Sequence, residues 1–168
     1  MLVIFGGLPG TGKTTIARAL ASELAAVHLR IDTIEHAILN SSLGVTRLDD
    51  AGYLVAYALA QDNLRLGRIV VADSVNPLEL TRAAWRDVAA RAAAPFIEVE
   101  FICSDEAEHR RRIETRATEL PGWQLPTWAD VVSREYHPWT RDHIVIDTAS
   151  SAPDASLAAL RAHLHIPS

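Results

Sequence analysis

The stretch Gly7-Leu8-Pro9-Gly10-Thr11-Gly12-Lys13-Thr14 fits G-x-x-x-x-G-K-[ST], the spacing of a loop that cradles phosphate. Of the sixteen Lys and Arg residues only Lys13 is lysine. A compact ammonium on a flexible stem suits this place, where a forked guanidinium would be too large. Gly7, Gly10 and Gly12 let successive N–H groups, Thr11's among them, turn inward as an anion-binding nest. The helix opening at Lys13 adds free donors and the positive end of its dipole. The motif places Lys13 against the β- and γ-phosphates of ATP and the Thr14 hydroxyl on Mg²⁺. Thr15 is expected to support the helix start or meet the α-phosphate.

The surrounding elements suit that loop. Leu2-Val3-Ile4-Phe5 reads as a strand entering it, and Lys13 to Ala26 as the helix leaving it. Strand and helix then alternate, the signature of a parallel α/β sheet. Strands are expected at 26–31, 69–72, 96–102 and 143–146. Helices are expected at 33–40, 48–66, 77–94, 105–118, 128–136 and 155–164, with proline in the first turn of the one starting at Pro77. Residues 117–128, punctuated by Pro121, Gly122 and Pro126, read as a lid. Gly7, Asp32, Asp73 and Asp147 end four of the strands, and ligands of open α/β sheets gather at such carboxyl ends. Asp32-Thr33-Ile34-Glu35 also reads as a capping box, and Asp73-Ser74 and Asn76-Pro77 have turn chemistry.

A chain of 168 residues is most simply one domain, 1–168. Its net charge of −5 argues against broad nucleic-acid binding. The single cysteine, Cys103, excludes an intrachain disulfide, and the histidines show no metal-ligand spacing. No stretch approaches a membrane span, so the protein reads as cytoplasmic and without a membrane partner.

With the loop, the acidic strand ends and the arginine-rich helix before the lid, the chain resembles the adenylate-kinase-like P-loop small-molecule kinases. That group includes gluconate, shikimate, adenylylsulfate and chloramphenicol kinases and the polynucleotide 5′-kinases. The resemblance spans essentially the whole chain. It implies an α/β P-loop NTPase three-layer fold, a five-stranded parallel sheet in the order 2-3-1-4-5 flanked by helices, with a short lid and Mg-ATP as donor. By resemblance Asp32 orients the acceptor hydroxyl and takes its proton. Asp73 supports Mg²⁺ with Thr14, or the acceptor. Arg112 packs on adenine and Arg116 neutralises the transferring phosphoryl group, the two sharing a helix face four residues apart. Polynucleotide kinases often carry arginine three residues after the strand-two aspartate. Glu35 stands there, which favours a neutral or cationic acceptor over a phosphorylated one.

The expected function is thus an ATP-dependent kinase acting on a hydroxyl of a small-molecule acceptor, with Lys13, Asp32, Asp73, Arg112 and Arg116 as its chemical residues. A regulatory ATPase is the alternative, and a nucleic-acid 5′-hydroxyl kinase a weaker one. Tyr53 and Tyr57 could face the acceptor or fill the core. Arg82, Trp123, Arg134, His137 and Arg141 are further candidates, each with a structural reading beside it.

Overall fold

A computed structural model describes residues 1–164. The last four residues of the expected single-domain span lie outside the described residues. Five parallel strands, β1 (Leu2–Gly6), β2 (Val27–Arg30), β3 (Val70–Asp73), β4 (Phe96–Ile102) and β5 (Ile144–Asp147), form one sheet in the order β2-β3-β1-β4-β5. Among the described residues seven helices accompany it: α1 (Lys13–Glu23), α2 (Ile31–Leu39), α3 (Ala51–Arg65), α4 (Glu79–Arg91), α5 (Glu106–Thr115), α6 (Trp128–Val132) and α7 (Pro153–His163). The expected fold class and strand order are those observed.

The two sides of the sheet follow from strand periodicity. Alternate residues of β1 point to opposite faces. Leu2 and Ile4 enter a core with Ala56, Ala60, Trp85 and Val88 of α3 and α4. Val3 and Phe5 enter a second with Ile16 and Leu20 of α1, Phe101 of β4 and Leu160 of α7. Buried on both faces and paired on both edges, β1 fixes where the phosphate loop begins.

Several boundaries move, each for a local reason. β2 ends at Arg30 and α2 begins at once, so Asp32 lies in the first helical turn. Arg30 is the N-cap, without a side-chain cap, so the capping box expected at Asp32 does not form. One forms instead between Thr127 and Asp130 at the start of α6. α4 starts at Glu79, not Pro77, because the carbonyl of Pro77 instead accepts from the backbone N–H of His137 at 2.7 Å. α3 begins at Ala51 after a turn at Asp49, whose φ is +44°. α6 stops at Val132, and side chains secure the stretch beyond it. Tyr136 donates to Glu100 at 3.0 Å, and Trp139 Nε1 donates to the Tyr136 hydroxyl at 2.8 Å.

Asn76 ties the sheet to the site. It is fully buried with φ of +49°, a left-handed conformation that asparagine tolerates better than most residues. Its Nδ2 donates to the Phe5 carbonyl at 2.8 Å, just before the phosphate loop. Its backbone N–H donates to the Tyr53 hydroxyl at 3.2 Å. Replacing Asn76 with alanine should cost about 1–3 kcal/mol of stability in urea unfolding, because it leaves a buried carbonyl short of a partner.

Candidate active site

The phosphate loop is shaped by what glycine permits. Gly7 has φ of +137°, and a Cβ there would lie 2.3 Å from the Phe101 carbonyl oxygen. Gly10 has φ of +84°, with Ile113 of α5 packed where a Cβ would stand. His109, also on α5, donates from Nε2 to the Pro9 carbonyl at 2.7 Å. The helix before the lid therefore braces the outer turn of the loop. Thr11 turns its hydroxyl inward to the Leu8 carbonyl, 2.9 Å away, and is buried, so only its backbone can serve a phosphate.

Lys13 opens α1 and is buried, within 3.4 Å of the Leu8 carbonyl. Burial pushes its pKa down, while the carboxylates of Asp73 and Asp32 push the other way. Asp73 ends β3, is also buried, and accepts from the Thr14 hydroxyl at 3.2 Å. Its other oxygen lies 3.2 Å from His28 Nε2. His28 escaped the sequence reading, which set the histidines aside. The available signal was its position on β2, two residues before Arg30 on the same face. Among the described residues no group of three or more His, Cys, Asp or Glu side chains could hold a metal. The Thr14–Asp73 pair still fits Mg²⁺, which needs few protein oxygens and takes the rest from phosphate and water.

A cleft of about 940 Å³ runs from this loop to α2 and α3. Gly10, Gly12, Lys13, Thr14 and Thr15 line one end, and Asp32, Glu35 and Tyr53 the other. Arg112 and Arg116 border it with the lid. Arg112 is held flat against the loop after β5, donating to the Thr148 hydroxyl and carbonyl at 2.9 and 2.8 Å and to Glu108 at 2.7 Å. Hydrogen bonds from Arg111 and Arg112 bring the Glu108 carboxyl down to about 2. α5 ends at Thr115, so Arg116 sits in extended backbone and does not share a helical face with Arg112. Both reach the cleft by different routes.

Other expected residues lie elsewhere. Asp147 closes a loop, accepting from the N–H groups of Ser104 and Ala149 at 3.1 and 3.0 Å. Arg82 is fully buried, 4.6 Å from the Trp139 ring centre, and donates to the His137 carbonyl at 2.8 Å. Tyr57 packs edge-on against Trp85, while Tyr53 faces the cleft. His137 pairs with Glu135, and Arg141 approaches Glu98, whereas Arg134 borders the cleft.

The lid is latched over this space through Glu119, Arg18, Arg30 and His36, which the sequence reading did not single out. Glu119 forms a two-pronged ion pair with Arg18 of α1, one prong at 2.7 Å, and lies 3.6 Å from Arg30. His36 of α2 donates to the Pro121 carbonyl at 2.8 Å and meets Trp123 edge-on.

Two expectations follow from this geometry. Glu119→Ala should loosen the lid, read as faster amide exchange over residues 117–126 with the sheet unchanged. Burial, then the nearby Asp32 carboxylate, raises the Glu35 pKa to about 7, against an opposing pull from Arg134. The native state then holds more protons than the unfolded chain between pH 4.5 and about 7. This contribution to stability is fully present below pH 4.5 and lost as pH rises through about 7. Glu35→Gln should flatten that part of the stability profile measured by urea unfolding.

Comparison with known proteins agrees with the fold and the loop. A family model described as an AAA domain matches residues 2–132, most of the chain. A probable adenylyl-sulfate kinase of Aeropyrum pernix is 27% identical over 165 residues, covering 95% of this chain and 90% of that protein. A provisionally assigned kinase of Chloroflexus aurantiacus superposes with a TM-score of 0.75 at 22% identity, over 98% of both chains. The Mycobacterium tuberculosis APS kinase, solved with AMPPNP and APS, gives a TM-score of 0.69 at 22% identity. It covers 96% of this chain and 95% of its own. With its phosphate loop inside the matched segment, the chain belongs to this AAA-domain family.

Proposed function

We propose that the protein is an ATP-dependent phosphotransferase that moves the γ-phosphate onto a hydroxyl of a small-molecule acceptor. The observation that carries this reading is the single cleft joining the phosphate loop to the Asp32, Glu35 and Tyr53 wall beneath a lid.

In this reading the loop amides and Lys13 hold the β- and γ-phosphates, and Arg112 with the Thr148 loop borders the base. Thr14 and Asp73 would hold Mg²⁺ arriving with the nucleotide, which neutralises charge on the β- and γ-phosphate oxygens. Asp32 orients the acceptor hydroxyl and takes its proton as the new O–P bond forms. The bond from the γ-phosphorus to the β–γ bridging oxygen breaks, and ADP leaves with that electron pair. Arg116 and Lys13 balance charge on the phosphoryl group in flight. Such catalysis is mostly placement and electrostatics. Latching by Glu119, Arg18 and Arg30 keeps bulk water from competing with the acceptor.

A regulatory ATPase would gain from a second acidic residue after Asp73, and Ser74 stands there, buried. The lid-covered cleft suits a small acceptor better than a polynucleotide end.

The test is transfer of γ-labelled phosphate from Mg-ATP into a metabolite extract, with free phosphate counted alongside. A labelled metabolite is expected, and steady free phosphate alone would point to the ATPase. Lys13→Ala should lower turnover by about 10²–10³-fold, as loss of a transition-state charge partner does. Asp32→Asn should lower kcat by about 10²–10⁴-fold while leaving AMPPNP affinity near that of the parent protein. An unchanged kcat would remove Asp32 from the proton transfer.

A further inference from the structure

We infer that the acceptor carries a protonated amine near the hydroxyl that is phosphorylated, and that Glu35 is the residue that selects it. The inference rests on the phosphotransferase reading and names its substrate class.

Glu35 projects from α2 into the acceptor end of the cleft, half-buried, with no hydrogen bond or ion pair among the described residues. Its neighbours are otherwise engaged. Asp32 lies 3.5 Å from Arg30, Asp49 pairs with Arg47 at 2.6 Å, and Asp130 accepts from Thr127 at 2.8 Å. Among the described residues, Glu35 is therefore the cleft carboxylate left without an ion pair or hydrogen bond.

The fold makes room for it. Gly52, in the first turn of α3, lies against the Glu35 stem, and a Cβ there would stand 2.4 Å from Glu35 Cγ and 2.8 Å from Oε1. Trp123 of the lid and Tyr53 of α3 line the same cleft. Aromatic faces beside a carboxylate suit a cationic group.

A carboxylate withdrawn from water without a partner is costly, and a cation brought by the ligand removes that cost. The charged and titratable groups around Glu35 are Asp32 on its own helix, Tyr53 on α3 and Arg134 beyond α6. Burial and Asp32 hold the carboxyl protonated more readily than usual, so an ammonium ligand should expel a proton as it binds. An anionic acceptor would meet Asp32 and Glu35 together; of the cleft's arginines, Arg134 is the one that acts on Glu35, while Arg30 and Arg116 lie with Asp32.

The experiment repeats the label transfer with extract passed over a cation-exchange resin. Label should appear with whole extract, fall at least tenfold with depleted extract, and return with the fraction eluted from the resin. For the recovered amine, Glu35→Gln should raise KM at least tenfold and change kcat less. Gly52→Ala keeps the carboxylate but displaces it, and should raise KM in the same direction. Proton release on binding, read by calorimetry in two buffers of different ionisation heat, should vanish in Glu35→Gln. Undiminished transfer with depleted extract, or a KM indifferent to Glu35→Gln, overturns the inference and leaves the phosphotransferase standing. No label in any metabolite of the whole extract overturns the phosphotransferase reading and the inference with it.

Discussion

Lys13 holds its ammonium in a place almost closed to water, and much of the site can be understood as what makes that tolerable. Burial alone drives such a group toward neutrality. The carboxylates of Asp73, at the end of β3, and Asp32, in the first turn of α2, oppose that drive. Asp73 can do so because β3 is paired on both sides, beside β1 and β2. His28 and the Thr14 hydroxyl then hold its two oxygens in place. A phosphate entering the loop would find a positive charge already compensated and fixed, and would need little reorganisation to bind.

The second constraint is that the loop and the lid are mechanically joined. His109 and Ile113 of α5 touch the phosphate loop, and α5 runs straight into the lid. Arg112 ties the same helix to the loop after β5 through Thr148, whose hydroxyl also donates to the Thr11 carbonyl at 2.9 Å. Glu119 returns the lid to Arg18 and Arg30. A nucleotide seated in the loop would thus be felt by the lid through rigid contacts.

What was legible in the sequence was local. The phosphate loop carries its chemistry in adjacent residues, so its spacing sufficed. β4 runs from Phe96 to Ile102 as expected, because Pro95 precedes it and Cys103-Ser104-Asp105 ends it. The strand order came through resemblance. Helix ends were harder, since Asp32 and Pro77 have cap-like chemistry that tertiary contacts overrode. Least legible were pairings across the chain. Arg18 and Glu119 are 101 residues apart, and His28 and Asp73 are 45 apart. Nothing in the local pattern of either pair announces its partner. Thr11 fits the motif, yet its side chain serves the loop and not the cleft.

In the proposed mechanism the two ends of one cleft hold separate ligands, nucleotide phosphates at Lys13 and acceptor at Asp32. Amide hydrogen exchange with and without Mg-AMPPNP tests this most directly. Strong added protection should appear over residues 7–15 and the lid, 117–126, with residues 32–36 and 52–57 little changed until an acceptor is present. Unchanged exchange over residues 7–15 would rule out this division of the cleft, as would protection spread equally over α2 and α3 by the nucleotide alone.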